Sequence, residues 1–111
     1  MMDIDEYQRL AARTIASGLS REDVERHALY GLAGEVGEVL SLFQKELQGH
    51  ELNREHLKRE LGDVLWMASE LATAEGWLLS DVALVNVEKL RKRYPEGFES
   101  ERSLHRAPGD I

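Results

Sequence analysis

Two short acidic signatures stand out along the chain. Glu35-Val-Gly-Glu38 and Glu60-Leu-Gly-Asp63 each read acid, apolar, glycine, acid, with 21 residues between them. On a helix, residues three apart share a face. Each pair borders an apolar stripe, set by Leu32, Val36, Val39 and Leu40 for the first and by Leu57, Leu61, Val64 and Leu65 for the second. Two antiparallel helices joined by a short turn would bring all four carboxylates together in or beside a core. Such a cluster is untenable alone, because like charges at close range raise one another's pKa and burial adds to this. Buried carboxylates need cations, metals or protons. An all-oxygen donor set suits a hard ion, Mg²⁺ or Mn²⁺ ahead of zinc, and Mg²⁺ shares its remaining positions with water and substrate phosphates. In a chain with 21 acidic residues a single Glu-x-x-Glu carries little information. The repeat of the pattern, with a glycine before each second acid, is what makes a metal site a serious alternative to solvated helix acids.

Other residues could join that chemistry. Asn86, Lys89 and Arg93 follow i, i+3, i+7 spacing and share one helix face, where Lys offers phosphate oxygens a point charge and Arg a planar fork. A basic helix end that complements the helix dipole would look the same. Lys45 returns to the Glu38 face two turns on and is either a further phosphate contact or a helix-end lysine. Trp66, close to Asp63, could stack on a base or serve as a core or interface tryptophan. A di-iron carboxylate bundle requires Glu-x-x-His on two helices. No such motif exists here, since Val24, Leu47, Asn53 and Arg102 precede the four histidines at that spacing. The histidines show no ligand spacing, and His27 reads as a surface or interface residue.

The elements that must position these residues are helices, because no segment sustains a period of two. Apolar spacing predicts a first helix over Ile4 to Ser17, stopped by Gly18. Ser20, with Asp23 three residues on, reads as the cap of a long second helix that ends at Gly49. Within it, Gly31, Gly34 and Gly37 each cost about 1 kcal/mol relative to alanine, and Gly31 is expected to bend or interrupt the helix. Leu29, Leu32, Val36, Val39, Leu40, Phe43 and Leu47 form its expected core stripe. Asn53 caps a third helix that closes at Gly76, and Ser80 caps a fourth that halts before Pro95. Trp77 is expected to anchor the turn after the third helix. Pro95 to Ile111 reads as an irregular arm, pinned by Tyr94 and Phe98 and fraying at its end. The expectation is a single domain over residues 1–111, an all-α four-helix bundle with a polar tail from about residue 99.

Composition narrows the function classes. The net charge is −7, with 14 Lys and Arg against 21 Asp and Glu. Generic nucleic-acid binding needs a basic surface, so it is excluded as the first expectation. Divalent ions can still reverse the local sign and recruit a polyphosphate. The absence of cysteine removes disulfides, thiolate zinc sites and cysteine nucleophiles. No run approaches a membrane span and the first residues hold no signal-like apolar stretch, so no membrane partner is expected and the cytoplasm is the default location.

Taken in order, the segments GLAGEVGEV, ELGDVLWMASELA and NVEKLRKRYPEGF, with EYQRLAART before them, resemble the MazG-like branch of the all-α nucleoside triphosphate pyrophosphohydrolases. The resemblance covers nearly the whole chain except its last residues. It implies Glu35, Glu38, Glu60 and Asp63 as ligands of Mg²⁺, with Mn²⁺ able to substitute. It implies Asn86, Lys89, Arg93 and Tyr94 as phosphate-side or neighbouring residues, and Lys45 as a match to a lysine common after the first motif. The implied reaction is hydrolysis of a (deoxy)nucleoside triphosphate between its α- and β-phosphates, releasing the monophosphate and pyrophosphate, by a homodimer or homotetramer. Glu38 is favoured over Glu35 as the base that takes the proton of the attacking water. Two alternatives stand beside this: dUTPase-like activity on dUTP and dUDP, and a helical dimerisation module that has lost catalysis.

Overall fold

The computed structural model describes every residue, Met1–Ile111. It contains five helices: α1 (Ile4–Ala12), α2 (Arg21–Leu47), α3 (Arg54–Glu75), α4 (Leu79–Arg93) and α5 (Ser100–Leu104). There are no strands beyond an isolated Pro95–Gly97 bridge. The all-α expectation holds, with one helix more than the sequence suggests. No helix is long and apolar enough to cross a membrane.

The helix ends follow local chemistry. Asp3 accepts the Glu6 amide at 2.8 Å and Ser20 accepts the Asp23 amide at 3.1 Å. Asn53 accepts the amides of both Glu55 and His56, at 3.0 and 3.1 Å. Each satisfies donors that a helix start leaves without a partner. Gly49 and Gly76 have φ of +97° and +77°. Each closes a Schellman pair: His50 N–H to the Lys45 carbonyl with Gly49 N–H to Glu46, and Trp77 N–H to Ala72 with Gly76 N–H to Thr73. α1 is shorter than its apolar spacing predicts. After Ala12 the amides of Arg13, Thr14 and Ile15 reach back only three residues, and the Thr14 hydroxyl also takes the Ala11 carbonyl. That tightening ends the helix five residues before Ser17. α4 begins at Leu79, so Ser80 lies inside its first turn rather than capping it.

The chain forms two compact units, Met1–Leu79 and Ser80–Ile111. In the first, α2 packs along α3, and α1 packs on α3. Arg21 at the start of α2 pairs with Glu75 at the end of α3, so the two run antiparallel. Val24 and Ala28 of α2, Met67, Ala72 and Ala74 of α3, and Leu79 are the buried apolar residues. Gly31 does not interrupt α2. A Cβ built there would overlap the Met67 sulfur, so the glycine admits a buried methionine from the facing helix. Gln8 of α1 is buried and spans the α3–α4 turn. Its Nε2 donates to Thr73 Oγ1 and the Trp77 carbonyl at 3.2 and 2.9 Å, and its Oε1 accepts the Leu79 amide at 2.7 Å. The Trp77 backbone, not its exposed ring, is therefore what anchors that turn.

The expected α2 core stripe divides. Leu32 and Val39 are half-buried, whereas Leu29, Val36, Leu40, Phe43 and Leu47 are exposed. Leu61 and Leu65 of α3 are exposed as well. The second unit holds α4, the turn at Pro95, α5 and the tail. Tyr94 and Phe98 meet at a tilt of 51°, with ring centroids 5.2 Å apart, and Phe98 is otherwise exposed, so the two rings pin each other. Their neighbour Arg93 forms a two-bonded ion pair with Asp110. The arm expected to be irregular thus contains a helical turn and a fixed end.

Candidate metal centre on the acidic face

α2 turns Glu35 toward α3 because it follows Val24, Ala28 and Gly31 on the same face, at helical spacing. α3 presents Glu60 and Asp63 on the face that later carries Met67 and Glu70. One oxygen from each of Glu35, Glu60 and Asp63 lies within 4.8 Å of the others, and all three side chains are half-buried. Three carboxylates so close repel one another. Desolvation first, then the charges of Asp63, Glu60 and Glu38, push the Glu35 carboxyl above its ordinary range. Burial and then the Asp63 charge raise the Tyr7 phenol, which places α1 in the electrostatic field of the cluster. An all-oxygen, partly desolvated set with excess negative charge fits a hard divalent cation.

Glu38 stands apart. It is exposed, one turn beyond Glu35, and outside the group whose oxygens converge. Three of the four expected carboxylates are therefore brought together, and the fourth lies near enough for its charge to act on Glu35. Gly34, Gly37 and Gly62, the small residues beside the acids, have no atom within 4 Å of a built Cβ. They face open space, unlike Gly31.

The surroundings contain residues that the motifs do not indicate. His56 Nε2 lies 3.0 Å from Glu60 Oε1, an i, i+4 pair on α3 that orients this carboxylate. The spacing was the available signal. Glu70, one of the buried residues of α3, bonds to His27 Nδ1, whose side chain is 60% exposed against 3% for Glu70. His27 is thus the partner of a buried acid rather than a free surface histidine. The Trp66 indole N–H donates to Thr14 Oγ1 at 2.8 Å, which ties the ring to the turn after α1. Lys45 sits in the last turn of α2. Asn86, Lys89 and Arg93 lie along α4 in the second unit, followed by Tyr94, and Arg93 is the one with a fixed side-chain partner.

Comparison with known proteins places the chain in a family. Residues 24–98 match the family described as the MazG nucleotide pyrophosphohydrolase domain, a stretch that includes all four motif acids and the basic face of α4. The Gene 37 protein of Mycobacterium phage L5 is 35% identical, with 86% of this chain and 92% of the phage protein covered. No solved structure matches.

Proposed function

The chain belongs to the MazG nucleotide pyrophosphohydrolase family, and we propose that it hydrolyses nucleoside triphosphates between the α- and β-phosphates, yielding the monophosphate and pyrophosphate. The observation that carries this reading is the convergence of Glu35, Glu60 and Asp63 within 4.8 Å. These three are the proposed ligands of Mg²⁺ or Mn²⁺, with Glu38 completing the set directly or through water. A divalent ion held there would offset the charge of the triphosphate and lower the pKa of the attacking water. Glu38, exposed and least committed, is the proposed acceptor of that water's proton. His56 holds Glu60 in place through its ring nitrogen. The open side of Gly34, Gly37 and Gly62 leaves room for a substrate beside the acids. Lys45, Asn86, Lys89 and Arg93 are proposed phosphate-side residues by their chemistry, and Trp66 a proposed base contact through its ring face.

The exposed stripe of Leu29, Val36, Leu40, Phe43 and Leu47 supports assembly with a second copy, as a homodimer or homotetramer. Such an enzyme would trim nucleotide pools in the cytoplasm. A panel of nucleotides incubated with Mg²⁺, with pyrophosphate resolved from orthophosphate, tests the proposal. Release of pyrophosphate is expected. Orthophosphate as the direct product, or no turnover with either Mg²⁺ or Mn²⁺, would overturn it.

A further inference from the structure

The second unit contains a carboxylate where an anionic ligand would be expected. Asp110 meets the Arg93 fork with two bonds, Nε to Oδ2 at 2.9 Å and Nη2 to Oδ1 at 2.7 Å. Guanidinium recognises carboxylate and phosphate with the same two-pronged geometry. The Arg93 side chain is only 10% exposed and that of Asp110 16%. A guanidinium so covered favours an anionic partner. Beside the pair is a cavity of about 570 Å³ whose lining includes Lys89, Lys92, Arg102 and His105.

Local sequence aims the carboxylate. Ala107-Pro108-Gly109-Asp110 is a turn closed by the Asp110 amide on the Ala107 carbonyl at 3.1 Å, with Gly109 at φ +84°. Proline second and a left-handed glycine third is the chemistry of a type II turn. α5 has no side-chain cap and no buried residue, and Leu104 and Ile111 are exposed. A segment with no buried side chain belongs to the low-stability end of a fold.

We propose that Asp110 is an internal stand-in for a phosphate group, occupying the Arg93 fork until a pyrophosphate or triphosphate chain displaces it. The proposal rests on the reading of Arg93 as a phosphate-side residue. Arg93 first, then Arg106 and Lys89, hold the Asp110 carboxyl below its ordinary range. Protonation therefore does not open the latch near neutral pH, and a competing anion does. Linkage makes the competition reciprocal: the anion frees the tail, and freeing the tail favours the anion.

The test is calorimetric titration of the full chain with inorganic pyrophosphate, with divalent metal chelated so that the acidic cluster contributes nothing. Asp110→Asn and Asp110→Ala should each bind about tenfold more tightly than the unaltered chain, as for a latch closed in roughly nine molecules of ten. Adding Arg93→Gln to either should abolish that gain. Amide exchange at residues 107–111 of the unaltered chain should speed up on addition of pyrophosphate. Unchanged or weaker binding in both Asp110 variants, with a freed tail, would show a structural strut and overturn the proposal. So would absence of pyrophosphate binding by every form. Because binding is read without turnover, a chain that hydrolyses no nucleotide leaves this test intact.

Discussion

Four glycines near the acids separate by what a methyl group would meet. Gly31 faces the side chain of Met67, which is 2% exposed. Gly31→Ala gains about 1 kcal/mol of helix propensity but overpacks the helix contact by about 1–3 kcal/mol, so thermal denaturation should show net destabilisation. Gly34, Gly37 and Gly62 face open space. Alanine at each should raise stability by up to about 1 kcal/mol, about 5 °C in a domain of this size. If these openings admit substrate, the stabilised variants will turn over nucleotide more slowly. The sequence raises the choice between close packing and access, and only the facing helix decides it, residue by residue.

Glu35 gives the cluster a dependence on pH. Its pKa is raised above the ordinary 4.5 by desolvation and three neighbouring acids. The folded chain then keeps a proton that the unfolded chain releases earlier. Stability attached to this group is present below the ordinary value and falls as pH rises through the raised one. A bound cation removes the repulsion. Mg²⁺ should therefore raise the melting temperature near neutral pH and do so progressively less as pH falls toward the ordinary carboxylate value. Glu35→Gln should raise the metal-free melting temperature and blunt the Mg²⁺ response. A Mg²⁺ shift independent of pH would contradict the placement of the ion.

At the scale of elements, the caps were legible because they are local. Ser20, Asn53, Gly49 and Gly76 act within a few residues, and each performs the role its type suggests. Glu35, Glu60 and Asp63 were legible as a group because i, i+3 spacing and a short connection bring two facing helices together there, whereas Glu38 stays outside it. What the sequence hides is burial of polar groups by distant partners. Gln8 looks like a surface residue of α1 and instead closes the α3–α4 turn from 71 residues away. Glu70 looks like any helix acid and is buried against His27. Removing the Gln8 amide leaves the Leu79 amide and the Trp77 carbonyl without their partner. Gln8→Ala should cost about 2–3 kcal/mol, measurable in urea as a lower midpoint with an unchanged slope.

At the scale of the molecule, the α2 stripe misleads in an informative way. Leu29, Val36, Leu40, Phe43 and Leu47 have helical core spacing, yet in the single chain they remain exposed. Periodicity reports an apolar face and does not say whether anything covers it. A domain of this size gains burial by association. Leu40→Lys together with Phe43→Glu should therefore convert an oligomer to a monomer in light scattering, while the acids of α2 and α3 keep their order. If the unaltered chain is already monomeric, assembly through this face is excluded.

The proposed hydrolysis rests above all on Asp63 and its two neighbours acting on a triphosphate. The direct test is quantitative product analysis of one nucleoside triphosphate, hydrolysed with Mg²⁺ by the unaltered chain and by Asp63→Asn with matched helical content. The prediction is equal amounts of monophosphate and pyrophosphate from the first. The second should be slower by at least about 100-fold, the upper end of what losing even a residue that only orients a metal ligand costs. Orthophosphate as the direct product, or an Asp63→Asn chain as fast as its parent, would contradict it.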